Sequence, residues 1–223
     1  LCNERVTQQL KDELVKLVPH SKKIWRDAIQ QLRRDGRKLK LPYKFSSDPK
    51  TYALDGLVIA RALGIPDEKS SFPLQIFCLF YLSVHVIDDL VEDHVKFCSH
   101  FTVVDKRGPS RGETLKEVLP FSYTLNVLLS IHRMLMENSC YAKNSDEIYS
   151  SIATSLGSFT HFFLLERKEL PPRKIFQIKE RGVSGVATSM ISDILCLQDT
   201  FNHKIATNLK QALYYLGSLT QFT

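Results

Sequence analysis

The stretch Phe72-Pro-Leu-Gln-Ile-Phe-Cys-Leu-Phe-Tyr81-Leu-Ser-Val-His85-Val-Ile-Asp88-Asp89-Leu-Val-Glu92-Asp93 decides how the rest of the chain reads. From Phe72 to Val91 it is the densest apolar run in the sequence, yet it contains Gln75, Ser83, His85, Asp88 and Asp89. A bilayer-spanning helix needs roughly 18 or more apolar residues with few or no charges. The run therefore predicts a helix buried inside a water-soluble domain. At 3.6 residues per turn, Leu74, Phe77, Tyr81, His85, Asp88 and Glu92 fall on nearly the same face, and Asp89 lies about 100° round from Asp88. One face thus carries an apolar and aromatic wall that ends in acids.

Carboxylates at the end of an apolar face repel one another and resist burial. Two adjacent aspartates alone also describe a plain solvated helix end. The apolar face leading into Asp-Asp-x-x-Glu-Asp tips the reading toward a bound cation. Magnesium takes oxygen ligands, typically one or two carboxylates together with phosphate oxygens and water. A substrate with a diphosphate head and a hydrocarbon tail matches an acidic rim above an apolar wall.

Working outward, the pattern is helix after helix. Leu10, Leu14, Leu17, Val18, Trp25, Ile29 and Leu32 have helical spacing within Val6–Arg34, and Asp35-Gly36 is the expected stop. Pro42 and residues 46–49 read as loop, and Tyr52–Leu63 as a helix ended by Gly64 and Pro66. The central helix is expected from Ser71 to about Lys96, followed by a polar loop over residues 99–113. Helices are predicted at Leu115–Glu137, Ser145–Leu165, Pro171–Gln198 (interrupted by Gly182 and Gly185) and Ala206–Phe222. Alternating strand patterns are essentially absent. The expectation is one all-α domain over residues 1–223, a helical bundle around a central apolar pocket.

Composition narrows the class. The chain has 223 residues, enough for a sizeable core, and its 43% hydrophobic and 24% charged residues exclude a disordered chain. Cys2, Cys78, Cys98, Cys140 and Cys196 are dispersed with no C-x-x-C pair, against a disulfide framework or zinc site. A reducing, cytoplasmic setting fits. The net charge of +6 is concentrated in Lys22–Lys44, a solvated helix face or a surface for phosphate-bearing partners. There is no Gly-rich phosphate loop, Cys/His cluster or Gly-x-Ser-x-Gly. The first residue, Leu1, is consistent with a missing N-terminal segment.

Ile87-Asp88-Asp89-Leu-Val-Glu92-Asp93 resembles the aspartate-rich metal motif of the class I isoprenoid synthases, the terpene synthases and trans-prenyl diphosphate synthases. The usual pattern is Asp-Asp-x-x-Asp; Glu92 in last place is a variant of the terpene synthase branch, with Asp93 as a spare ligand. The resemblance implies magnesium held by Asp88, Asp89 and Glu92, and a prenyl chain lying against Phe77, Tyr81 and His85. Glu166–Gly185 resembles the terpene synthase run in which an arginine senses the diphosphate before a helix break, which makes Lys179 and Arg181 the corresponding cations here. Gly36-Arg37-Lys38-Leu39-Lys40-Leu41-Pro42 loosely resembles the isopentenyl diphosphate site of chain elongators. Lys106-Arg107-Gly108-Pro109 resembles their basic pair, placed further from the acids than in that family. Tyr215-Leu-Gly217-Ser-Leu-Thr-Gln221-Phe-Thr223 resembles the run before the family's second metal motif, which would then follow Thr223. The late acids Asp193 and Asp199 sit in no matching pattern.

Three functions follow as expectations. In the first, a terpene synthase, Asp88, Asp89 and Arg181 serve ionisation of a prenyl diphosphate, and the carbocation cyclises. In the second, a trans-prenyltransferase, isopentenyl diphosphate is added through Arg37, Lys38 and Lys40. The third is a non-catalytic relative or partner subunit, or a basic nucleic-acid binder. The favoured reading has a prenyl diphosphate partner, no nucleic acid and no stable membrane insertion, and it is compatible with a homodimer.

Overall fold

The computed structural model describes residues 4–38, 43–45, 51–91, 101–103, 112–143, 145–166, 171, 191, 195 and 203–219. The chain divides into two compact units, Leu1–Ile131 and His132–Thr223.

Among the described residues, the first unit holds three helices, the ribbon described below and most of a fourth helix. Helix α1 (Glu4–Lys38) buries Leu17, Ile24, Trp25, Ala28, Ile29 and Leu32, positions three and four apart that form one apolar stripe. Each fully buried aliphatic side chain on such a stripe stabilises by about 1.5–3 kcal/mol. Pro19 lies inside α1 and has no N–H, so it cannot serve the Val15 carbonyl. Both residues are exposed, and water can do so instead.

Helix α2 (Leu54–Ala62) ends as the sequence predicts. Gly64 takes φ +71°, its N–H donates to the Arg61 carbonyl at 2.9 Å, and the Ile65 N–H donates to the Ala60 carbonyl at 2.8 Å. This is a Schellman motif, closed by burial of Ile65 and Ala60.

Helix α3 (Asp67–Val91) is the core of the unit. From Pro73 to Val84 every residue is buried except Gln75 and Tyr81, which are half-buried. A helix that is apolar all round belongs inside a protein. The polar Ser83 is accommodated because its hydroxyl donates to the Phe80 carbonyl at 2.6 Å.

The start of α3 lies earlier than Ser71, and tertiary contacts explain it. The Asp67 carboxylate accepts from Arg61 at 3.3 Å (Nε) and 3.0 Å (Nη2) and meets His20 Nδ1 at 3.1 Å. Ser71 donates to the Asp67 carbonyl at 2.7 Å and lies 3.3 Å from His20 Nε2. One carboxylate in the first turn thereby ties α1, α2 and α3 together, with its charge also favoured by the helix dipole. Hydrogen bonding to the Arg61 guanidinium holds the Asp67 carboxyl below its usual range, against the opposing effect of burial. A lowered folded value means that this stabilisation is present above the carboxylate range and lost as pH falls through it. Asp67→Asn is therefore expected to lower Tm by about 2 °C near neutrality, with the difference from wild type vanishing in acid. Thermal melts of both proteins across pH check this.

Three expectations are corrected here. First, α1 does not stop at Asp35-Gly36 but runs to Lys38. Asp35 is buried and accepts from Ser130 Oγ at 2.9 Å, so a tertiary hydrogen bond overrides the local stop signal. Second, strands are present. β1 (Tyr43–Phe45) pairs antiparallel with β2 (Phe101–Val103) in the register Tyr43↔Val103, Lys44↔Thr102, Phe45↔Phe101. Third, α4 (Gly112–Glu137) begins inside the predicted loop. The division between the units falls within α4.

The second unit contains α5 (Ser139–Ala142), α6 (Ser145–Glu166) and α7 (His203–Leu219). The Asn138 side chain caps α5 by accepting from the Cys140 N–H at 3.2 Å. Met134, Leu135, Tyr141, Ile148, Ile152 and Leu213 are buried. His132 Nδ1 is hydrogen-bonded to the Tyr149 hydroxyl, joining α4 to α6. Ile191 and Leu195, four residues apart, are also buried; the remainder of the predicted Pro171–Gln198 helix, apart from Pro171 itself, lies outside the described residues.

Among the described residues, the regular structure is thus helical apart from one two-stranded ribbon. Among them, no helix is long and apolar enough to cross a membrane. Cys78 and Cys140 are free thiols, and burial pushes the Cys78 thiol far up. A maleimide reagent is expected to modify exposed Cys140 in the native protein and Cys78 only after unfolding. Site-resolved mass spectrometry checks the order.

Candidate active site at the end of helix α3

Local sequence brings the candidate acids to the end of a buried helix. α3 keeps helical backbone through Val91, so His85, Asp88 and Asp89 are carried on it; their side chains lie outside the described residues. Glu92, Lys179 and Arg181 lie wholly outside them, as do Lys40, Asp93, Lys106, Arg107, Asp193 and Asp199. The last turn of α3 contains no basic residue. Adjacent carboxylates toward a helix C-terminus are disfavoured by mutual repulsion and by the helix dipole unless a cation offsets them. The donor set is made of hard carboxylate oxygens, which fits magnesium rather than a softer metal.

The face leading to these acids is aromatic. Phe77 and Tyr81, one turn apart on α3, stack with centroids 5.6 Å apart and planes 28° apart. Tyr81 meets Tyr52, just before α2, at 5.0 Å and 64°. Tyr52 meets Trp25 of α1 edge-on at 5.2 Å and 90°. Such tilted and offset pairs are the favoured aromatic geometries, each worth about 1 kcal/mol beyond burial. The row Trp25–Tyr52–Tyr81–Phe77 therefore fixes Tyr81 two turns before Asp88.

The same face is closed at its other end. Leu74 is fully buried against Gly56 of α2, where a Cβ would come within 2.2 Å of Leu74 Cδ2. Phe77 is 4% exposed, with one face covered by Tyr81. Along the stripe Leu74–Phe77–Tyr81, exposure first rises at Tyr81. Of the two rings expected to meet a substrate, Tyr81 is half-buried, and Phe77, stacked on it, is buried. Sequence reasoning missed Trp25 and Tyr52, because they come from other elements. The available signal was that Trp25 sits on the buried stripe of α1.

The ribbon adds a further connection. Arg37 and Lys38 are exposed in the last turn of α1, which contacts β1, and β1 pairs with the strand that follows α3 in sequence. The strand that follows α1 is thereby paired with the strand that follows α3. Among the described residues, no group of three or more His, Cys, Asp and Glu side chains forms a metal cluster. No family model matches the chain, no curated protein matches it, and no solved structure matches it.

Proposed function

We propose that the chain is a class I isoprenoid synthase that ionises an allylic prenyl diphosphate and cyclises the resulting carbocation. One observation carries the reading: the last turn of a helix buried from Pro73 to Val84, apart from half-buried Gln75 and Tyr81, bears Asp88 and Asp89 and no basic residue, two turns beyond an aromatic row. An apolar run ending in two adjacent aspartates suits a substrate with a hydrocarbon tail and a metal-bound anionic head. Asp88, Asp89 and Glu92 would hold magnesium, which when bound supplies Lewis-acid stabilisation of the departing diphosphate.

The chain's own residues have the other roles. Arg181, with Lys179, would grip the diphosphate as the allylic C–O bond breaks and the bonding pair leaves with it. Tyr81 would offer its ring to the carbocation, held in place by Phe77 and Tyr52. The apolar wall excludes water until the cation loses a proton or is captured. The ribbon favours a second reading, chain elongation, because it pairs the strand that follows Arg37 and Lys38 with the strand that follows α3. There the cation would be attacked by the double bond of isopentenyl diphosphate, and the product would keep a diphosphate.

The test incubates the protein with magnesium and geranyl, farnesyl or geranylgeranyl diphosphate, with and without isopentenyl diphosphate. Pyrophosphate plus hydrocarbon or alcohol without isopentenyl diphosphate establishes the cyclase. Longer diphosphates formed only with it establish the elongator. No turnover in any condition, and no magnesium-dependent binding of the diphosphates, removes both and leaves a non-catalytic helical protein.

A further inference from the structure

The outward side of α1 changes character along its length. Before Pro19 its exposed positions mix signs, with Lys11, Asp12, Glu13 and Lys16, the last paired to Glu13. From Lys22 onward the exposed positions are Lys23, Arg26, Gln30, Arg34, Arg37 and Lys38. The only acids in this half are Asp27, paired with Lys23 at 2.7 Å, and Asp35, which is buried. About 25 Å of helix thus presents one sign of charge, while its opposite side is packed into the core.

We propose that this face docks on the surface of a membrane containing anionic lipid. Clusters of four to eight basic residues on one side of a helix are attracted to phosphatidylserine headgroups, each residue adding to the binding. One feature favours a bilayer over nucleic acid. Val15, 68% exposed, and Pro19 lie on the same line as Arg26 and Arg37, at spacings near whole helical turns. Exposed aliphatic groups beside a basic face gain by sitting at the headgroup boundary, whereas a sugar-phosphate backbone offers them nothing. The contact is peripheral, and it rests on the charge distribution of α1 alone, not on the chemistry proposed for α3.

The experiment is vesicle flotation of the full chain without magnesium or diphosphates, so its result stands apart from catalysis. Vesicles of phosphatidylcholine alone are compared with vesicles of phosphatidylcholine mixed with phosphatidylserine. The protein is expected to float only with the anionic vesicles, and less as salt is raised. Arg26→Glu/Arg34→Glu/Arg37→Glu, all at exposed positions, should weaken binding by at least about a hundredfold with unchanged circular dichroism. Lys11→Glu/Lys16→Glu, in the mixed-charge half, should weaken it far less. Equal binding to neutral vesicles, or a triple variant that binds like wild type, would overturn the proposal. So would tighter binding to mixed-sequence duplex DNA than to the anionic vesicles at the same salt.

Discussion

Replacing Asp88 and Asp89 together by alanine is expected to lower magnesium-dependent pyrophosphate release by at least about a thousandfold while making the protein more stable. The two effects have one cause. Asp88 and Asp89 are adjacent in the last turn of α3, which has no basic residue, and neighbouring carboxylates toward a helix C-terminus are disfavoured by repulsion and by the helix dipole. Alanine removes the repulsion and is the better helix former, which should add about 1 kcal/mol in metal-free buffer. A gain in stability with a loss of activity marks residues kept for chemistry rather than folding. Thermal melts in chelator beside a pyrophosphate assay would measure both. A variant that melts earlier, or that keeps turnover within tenfold, would take the two acids out of the site.

The second large effect concerns the aromatic row. Trp25 is 2% exposed and holds Tyr52 edge-on, and Tyr52 in turn meets Tyr81. Trp25→Ala is expected to cost about 3–5 kcal/mol, by lost burial and by the cavity left between α1 and the turn before α2. That is a large part of the stability of an ordinary domain. Trp25→Phe keeps an aromatic edge in place and should cost roughly half as much. Urea unfolding followed by far-ultraviolet circular dichroism would separate the two variants without relying on the lost indole. A cost below about 1 kcal/mol for alanine would mean that α1 does not position Tyr52 or Tyr81.

Much of this architecture is legible in the sequence where local and tertiary demands agree. The all-round apolar character of Pro73–Val84 announces a central helix, Gly64 announces the end of α2, and the bounds of α6 fall within a residue of expectation. Reading fails where a distant partner decides. Asp35-Gly36 reads as a stop until Ser130, far along the chain, takes up the buried carboxylate. Asp67 looks like loop until Arg61 and His20 are seen to converge on it. Tyr43–Phe45 and Phe101–Val103 are too short to show alternation, and only their pairing makes them strands. In the site, the Phe77–Tyr81 stack follows from helical spacing, whereas Tyr52 and Trp25 reach it through tertiary packing.

The ribbon has a consequence for the order in which the first unit assembles. Its two three-residue strands are separated by the whole of α2 and α3, so pairing them early would close a long loop in return for very few hydrogen bonds. A two-stranded ribbon of that size is not stable alone. It can persist only once α1, α2 and α3 have already brought its ends together, so it forms last and opens first. Amides of Tyr43–Phe45 and Phe101–Val103 should then exchange with deuterium through local opening, far faster than those in the middle of α3, and without the helices coming apart.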